Sequence, residues 1–151
     1  MAKGTTDRSL QSVQISTIAH ATDDLNKVQV ALRSVLPDSL KTREVFTRRY
    51  VLGHYGNPIV TFDARLTKPQ EVDQFTHHFT RQLAKREKLL IQRNLDMHCD
   101  DQGNLFIRLD KQQAFRGVLE LGEEDPIRVK LKFSRLSGEA KELMNKFLEA
   151  D

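Results

Sequence analysis

The segment of residues 127–133, IRVKLKF, constrains the fold of this chain more than any other feature of its sequence. Apolar and cationic side chains alternate there with a period of two residues, which is the side-chain period of a β-strand. The apolar positions are Ile127, Val129, Leu131 and Phe133, and the cationic positions are Arg128, Lys130 and Lys132. Such a strand has one dry face and one cationic face, as in an antiparallel sheet that is covered on one side only.

Apolar periodicity and turn residues predict the other elements of the chain. We predict strands at 10–20, 42–52, 59–66, 94–99 and 104–109, and helices from Thr22 to Pro37, from Thr67 to about residue 90, at 111–116 and after Ser137. Thr22 and Ser137 are expected to act as N-caps, and residues 67–70 to form a capping box. Hairpins dominate over strand–helix–strand units, so the pattern predicts an α+β class: a mostly antiparallel sheet with helices packed on one face.

The length and composition predict one globular domain. A chain of 151 residues with 38% hydrophobic residues buries roughly two thirds of its unfolded surface and needs no metal or disulfide for its core. We expect a flexible tail at residues 1–9 and a single domain over residues 10–151. The lone Cys99 suits a reducing compartment, and the sequence has neither an apolar signal segment nor a membrane-spanning run. We therefore expect a cytoplasmic protein that does not bind a membrane.

No motif in the sequence predicts catalysis or metal binding. The run from His98 to Asp101 lacks the second pair of ligands that zinc requires, and His77 and His78 point about 100° apart on a helix. Cys99 has no histidine and acid placed beside it by the sequence, and no Gly-rich phosphate loop is present. We predict a protein that is not an enzyme and needs no cofactor.

Positive charge is concentrated in the middle of the chain. The net charge is +3, and residues 41–93 hold 11 Lys and Arg against 5 Asp and Glu. A basic region of this kind favours nucleic acid, but it is equally typical of a solvated helix face with mixed charges.

The loop of residues 53–58, GHYGNP, is a candidate site for RNA. His54, Tyr55 and Asn57 offer stacking and hydrogen-bonding groups, and Arg48 and Arg49 precede the loop. This mixture suits single-stranded or looped RNA, whose bases stack on aromatic rings. The alternative is a hairpin loop in which the glycines and the Asn-Pro pair only set the turn.

The cations of the 127–133 strand form a second candidate site. Residues two apart on a strand lie roughly 6.6–7 Å from each other, which is close to the phosphate spacing along one nucleic-acid strand. The alternative is a solvent face whose cations are balanced by acids on neighbouring strands. Further expected phosphate contacts are Lys85, Arg86 and Lys88 of the second long helix, together with Arg93.

Several of these segments resemble an archaeal family of predicted RNA-binding proteins. The resemblance rests on the run from His20 to Asp24, on Val35-Leu36-Pro37, and above all on residues 53–59, GHYGNPI. It extends from about residue 10 to residue 150. Members are often described as predicted exosome subunits, because their genes lie with the archaeal exosome genes.

The resemblance implies an antiparallel sheet backed by helices, similar to the ribosomal protein that binds 5S RNA. It also implies that the ligand is RNA, single-stranded or structured, and that exosome subunits are partners in RNA processing or degradation. An alternative is a protein–protein adaptor that joins an RNA-processing assembly without contacting RNA.

Overall fold

The computed structural model describes residues 10–42, 44–134 and 140–150. In chain order the elements are β1 (Leu10–Ala19), α1 (Leu25–Ser34), α2 (Asp38–Lys41), β2 (Thr47–Leu52), β3 (Pro58–Leu66), α3 (Pro69–Gln82), α4 (Lys85–Arg93), α5 (Leu95–His98), β4 (Asn104–Leu109), α6 (Lys111–Phe115), β5 (Ile127–Phe133) and α7 (Ala140–Glu149). None of these helices is long and apolar enough to cross a membrane.

The five strands form one sheet in the order β2-β3-β1-β5-β4. Every neighbouring pair is antiparallel. The predicted α+β class, with an antiparallel sheet and helices, is confirmed. β1 lies at the centre because its residues are β-branched at the alternate positions that are buried on one side.

One face of the sheet is covered by helices. Val13 and Ile15 of β1, Phe62 of β3, Leu131 of β5 and Ile107 of β4 are all buried on this face. α1 and α3 contact β1, and α7 contacts β5. The alternation predicted for residues 127–133 is therefore present, and its apolar half lies in the core.

The predicted helix from Thr67 to about residue 90 is interrupted. α3 ends at Gln82, and Leu83 and Ala84 have extended backbone before α4 begins at Lys85. Leu83 is buried in the core, so tertiary packing decides the break where the local residues favour a helix.

The predicted strand at 94–99 is wrong. Residues Leu95–His98 form the short helix α5, and only Cys99 forms an isolated bridge, to Leu105. Asp100 instead organises the turn that follows. Its carboxylate accepts hydrogen bonds from the backbone N–H groups of Gln102 and Asn104, at 2.9 and 3.0 Å.

Two predicted helix caps and one strand boundary also differ. Asp24, and not Thr22, caps α1, accepting a hydrogen bond from the backbone N–H of Asn26. Lys68 precedes α3 without a side-chain cap, so the capping box at 67–70 is absent. β2 begins at Thr47 and not at residue 42. The predicted cap Ser137 and the predicted tail at 1–9 lie outside the described residues.

Candidate nucleic-acid interface

The face of the sheet opposite the helices carries an excess of positive charge. We call it the open face, and it consists of the side chains that alternate with the buried ones along the strands. Its cations are Arg49, Arg65, Arg108, Arg128, Lys130 and Lys132, and Asp63 is the carboxylate on the strands of this face. The acids on neighbouring strands that the alternative interpretation requires are thus limited to Asp63.

The strand register places these side chains in rows across the sheet. Gln14 of β1 lies between Arg65 of β3 and Lys130 of β5, and Phe106 of β4 lies beside Lys130. One row further along, Asp63, Ser16, Arg128 and Arg108 lie side by side. Directly paired residues have Cβ atoms about 4.5–5.5 Å apart, so cations from three strands are close neighbours.

A groove of about 330 Å³ runs along this part of the open face. We call it the Phe106 groove, and its side chains are those of Gln14, Ser16, Phe106, Arg108, Arg128 and Lys130. Phe106 is 39% exposed, and the Lys130 ammonium lies over its ring, 5.9 Å from the centroid. The groove thus combines an aromatic ring, cations and neutral hydrogen-bonding groups.

Phe106 was not among the residues singled out from the sequence. The sequence nevertheless indicates its orientation. In residues 104–109, NLFIRL, the apolar Leu105, Ile107 and Leu109 share one side of the strand. Phe106 is out of phase with them and must point to the other side. The sequence did not reveal that this side carries no helix.

Several open-face groups are held by hydrogen bonds within the sheet and its turns. Gln14 Nε2 donates to Asp63 Oδ1 at 2.7 Å, Lys132 Nζ donates to the carbonyl oxygen of Gln102 at 3.2 Å, and Arg108 pairs with Glu123 at 3.2 Å. The Arg108–Glu123 pair is exposed, so it contributes little to stability.

Asp100 adds negative charge near one end of the groove. Burial alone would raise the pKa of this carboxyl, but hydrogen bonds from Asn104 and Gln102 and the positive charge of Lys130 together hold it below its ordinary value. Asp100 is therefore ionised at neutral pH.

The predicted loop site lies at the end of the β2–β3 hairpin. The loop is closed by a hydrogen bond from the backbone N–H of Gly53 to the carbonyl oxygen of Asn57, and Gly56 has a positive φ of 79°. The His54 and Tyr55 rings meet edge to face with centroids 4.8 Å apart. Tyr55 is 91% exposed, so the loop presents an aromatic side chain to solvent.

Arg48 and Arg49 lie on opposite faces of the hairpin. Arg49 pairs with Thr61 on the open face, whereas Arg48 pairs with Phe62, which belongs to the core side. The Arg48 guanidinium lies 5.5 Å from the centroid of the Phe62 ring. Only Arg49 therefore continues the open face toward the loop.

The predicted cations of α4 belong to a different part of the molecule. Lys85, Arg86 and Arg93 are exposed, but α4 packs against α7 in the helical layer. Lys88 is buried, and its ammonium donates to the carbonyl oxygen of Ala150 at 3.0 Å. The structure does not bring these residues together with the strand cations, and it does not offer Lys88 to a phosphate.

A group of titratable side chains far apart in sequence meets at the end of β1. Nitrogen and oxygen atoms of His20, Asp23 and Asp125 lie within 4.8 Å of one another. Lys111 Nζ lies 2.8 Å from Asp125 Oδ2 and 3.8 Å from Asp23 Oδ2. The ammonium thus supplies a positive charge between these carboxylates, and it also donates to the carbonyl oxygen of Ile18.

The environment of Cys99 does not activate its thiol. Burial raises the pKa of Cys99, and the opposing influence of Lys141 does not offset this. A reactive thiol needs a lowered pKa.

Comparison with known proteins gives consistent matches over most of the chain. A family model described as RNA binding matches residues 12–133. An RNA-binding protein of Pyrococcus abyssi is 31% identical over 123 residues, which is 80% of this chain and 80% of that protein. Among solved structures, a DUF54 protein of Methanothermobacter thermautotrophicus is 31% identical, with a TM-score of 0.74 over 93% of this chain and 98% of that one.

A second DUF54 structure, from Archaeoglobus fulgidus, is 29% identical, with a TM-score of 0.76 over 91% of this chain and 96% of that one. The matched residues 12–133 include β1 from Ser12 onward and all of the other four strands, and so they include the cations of the open face. The chain belongs to this RNA-binding family.

Proposed function

We propose that the protein binds RNA through the open face of its sheet. The observation that carries the proposal is the gathering of six Arg and Lys side chains, with Asp63 as the strand carboxylate, on the face opposite the described helices. The family membership and the name of the Pyrococcus relative support RNA as the ligand.

The arrangement of the cations suits a phosphate backbone. Arg128, Lys130 and Lys132 follow one another along β5 at intervals of about 6.6–7 Å. Arg108 extends the charge to β4 on one side, and Arg65 extends it to β3, beyond β1, on the other side. Phosphate contacts release condensed counterions, so affinity falls with rising salt at a slope set by the number of phosphates contacted. We therefore expect salt-sensitive binding.

The first test removes two open-face cations. The variant Arg128→Ala/Lys130→Ala is expected to weaken binding to every RNA sequence alike, because phosphate contacts carry no sequence information. Its log–log salt slope should fall by about 1.4, since each phosphate lost accounts for about 0.7 with single strands. Fluorescence anisotropy with a short labelled RNA at several salt concentrations measures both quantities.

The matched control is Lys85→Ala/Arg86→Ala, which removes the same charge from the exposed side of α4. We expect its affinity and salt slope to remain close to those of the unaltered protein. If the control variant lost affinity and the strand variant did not, the RNA surface would lie on α4 instead. If the unaltered protein did not bind RNA at low salt, the adaptor function would replace RNA binding.

Association with the exosome is a separate part of the proposal, taken from the family resemblance. Exosome subunits that stay with the tagged protein after nuclease treatment would support a direct contact. Subunits that are lost on nuclease treatment would mean that RNA alone connects them, and the role would then be RNA binding without assembly into the exosome.

A further inference from the structure

We propose that the Phe106 groove holds an unpaired base stacked on the Phe106 ring, which makes single-stranded RNA the ligand class of the open face. This inference rests on the proposed RNA binding and adds to it a stacking residue and a strandedness preference.

The Phe106 side chain is exposed to solvent on the open face. Leu105, Ile107 and Leu109 of the same strand are fully buried, whereas Phe106 leaves 39% of its surface in solvent. It lies on the open face between Arg108 and the turn that precedes β4, and its side chain points away from the buried Leu105 and Ile107. An aromatic ring displayed on a sheet among cations is a platform for a base, since every base has a π-face.

Basic side chains surround the Phe106 ring. The Lys130 ammonium lies over the ring at 5.9 Å from its centroid, and Arg128 and Arg108 line the same groove. A base that stacks on this face of the ring takes the place of the Lys130 ammonium, and the three cations are then neighbours of the phosphates on either side of that base. The groove therefore interleaves an aromatic ring with basic side chains, as single-strand-binding surfaces do.

The Phe106 groove also contains neutral hydrogen-bonding groups. Gln14 is oriented by its bond to Asp63 at 2.7 Å, and Ser16 lies next to it along the groove. An amide and a hydroxyl are suited to the edge of a base, whereas a surface that bound only phosphates would need cations alone. The volume of about 330 Å³ is near the lower end of small-ligand sites.

Stacking on Phe106 is not compatible with duplex RNA as the preferred ligand. Bases of an A-form helix are stacked within the duplex, and proteins reach only its phosphates, 2′-hydroxyls and groove edges. A ring on the face of a sheet cannot insert between the stacked base pairs inside a duplex. Stacking on Phe106 therefore requires an unpaired nucleotide.

The experiment compares Phe106→Leu with Phe106→Tyr and with a matched control, Phe115→Leu. Phe115 lies on α6, is 41% exposed and has Lys27 over its ring at 5.6 Å, so it has the same chemistry away from the groove. Binding to a single-stranded RNA and to a duplex of the same length is measured by anisotropy, with thermal unfolding of each variant as a check on folding.

We expect Phe106→Leu to weaken binding to the single strand by about tenfold and to leave duplex binding and the salt slope unchanged. Phe106→Tyr, which keeps the ring, and Phe115→Leu should bind like the unaltered protein. If Phe106→Leu bound the single strand normally while Arg128→Ala/Lys130→Ala lost binding, stacking would be overturned and the proposed function would stand. Absence of RNA binding by the unaltered protein would overturn both.

A second measurement locates the base directly. RNA carrying 5-iodouracil is crosslinked by light to an aromatic side chain that stacks on it, and trypsin then releases the crosslinked peptide. Phe106 lies in the peptide of residues 94–108, whereas Tyr50 and Tyr55 lie in the peptide of residues 50–65. Crosslinks in 94–108 support the groove, and crosslinks confined to 50–65 would overturn it in favour of the hairpin loop.

Discussion

Lys88 and Lys130 differ in their surroundings, and this difference decides which of them can contact RNA. Both are lysines in basic segments of the sequence. The Lys88 stem is buried and its ammonium is bound to the carbonyl oxygen of Ala150, whereas the Lys130 ammonium lies on the open face over Phe106. The partner of Lys88 is 62 residues away in sequence, so the local pattern of α4 could not predict its burial.

The substitution Lys88→Met tests this difference at a single residue. Methionine keeps the apolar stem, but the hydrogen bond from the ammonium to the carbonyl oxygen of Ala150 is lost. Because this donor is charged, we expect the free energy of unfolding to fall by about 1.5–3 kcal/mol. RNA affinity at 0.15 M salt should stay within about twofold, because charges beyond roughly 8 Å are largely screened. Urea unfolding and anisotropy measure the two effects, and Lys130→Met is the paired variant that should weaken binding. Equal loss of affinity in both variants would place Lys88 at the RNA surface.

The elements of the fold were predictable to different degrees, for physical reasons. The strands β1, β3, β4 and β5 and the helix α6 follow from local alternation or turn residues, because each strand buries one face and exposes the other. The break between α3 and α4 does not follow, since Leu83 and Ala84 are good helix formers and core packing imposes their extended backbone. In the candidate site, the cations of β5 were predicted, whereas Phe106 was missed, because only the assembled sheet reveals which of its faces lacks helices.

The substitution Ala84→Pro distinguishes a broken helix from a continuous one. Ala84 has φ of −64° and Leu83 before it is extended, which are the conformations that proline and its preceding residue favour. We expect the melting temperature to stay the same or rise, with a gain of up to about 1 kcal/mol. Thermal unfolding followed by circular dichroism measures this. A loss of about 3 kcal/mol, the cost of proline inside a helix, would mean that residues 69–93 form one helix.

At the scale of the whole molecule, the core and the candidate RNA surface occupy opposite sides of one sheet. The helical side is closed by aromatic packing, in which Phe147 of α7 contacts Phe79 and Phe133 with ring centroids 6.3 and 5.7 Å away. The other side is polar and cationic. The small net charge of +3 therefore conceals an uneven distribution, with basic groups gathered on the open face.

The substitution Phe147→Ala is expected to separate stability from binding. Removing a buried aromatic side chain costs about 3 kcal/mol or more, so the melting temperature should fall clearly. The RNA dissociation constant of the folded protein, measured well below that temperature, should remain unchanged, because Phe147 lies on the helical side of the sheet. Phe147→Leu is the milder variant to use if the alanine variant does not fold. A weaker affinity at full folding would mean that α7 contributes to the RNA surface.

The alternation along β5, with one residue buried and the next exposed, also bears on how the protein can change over evolution. Substitutions at open-face positions such as the exposed Arg128 and the half-buried Lys130 leave the core residues Val129 and Leu131 in place, and surface changes usually alter stability by less than about 0.5 kcal/mol. The RNA preference of the open face can therefore change during evolution while the stability of the fold stays nearly the same. A descendant with a new ligand would then keep every buried position of the sheet and differ along alternate residues of the same strands.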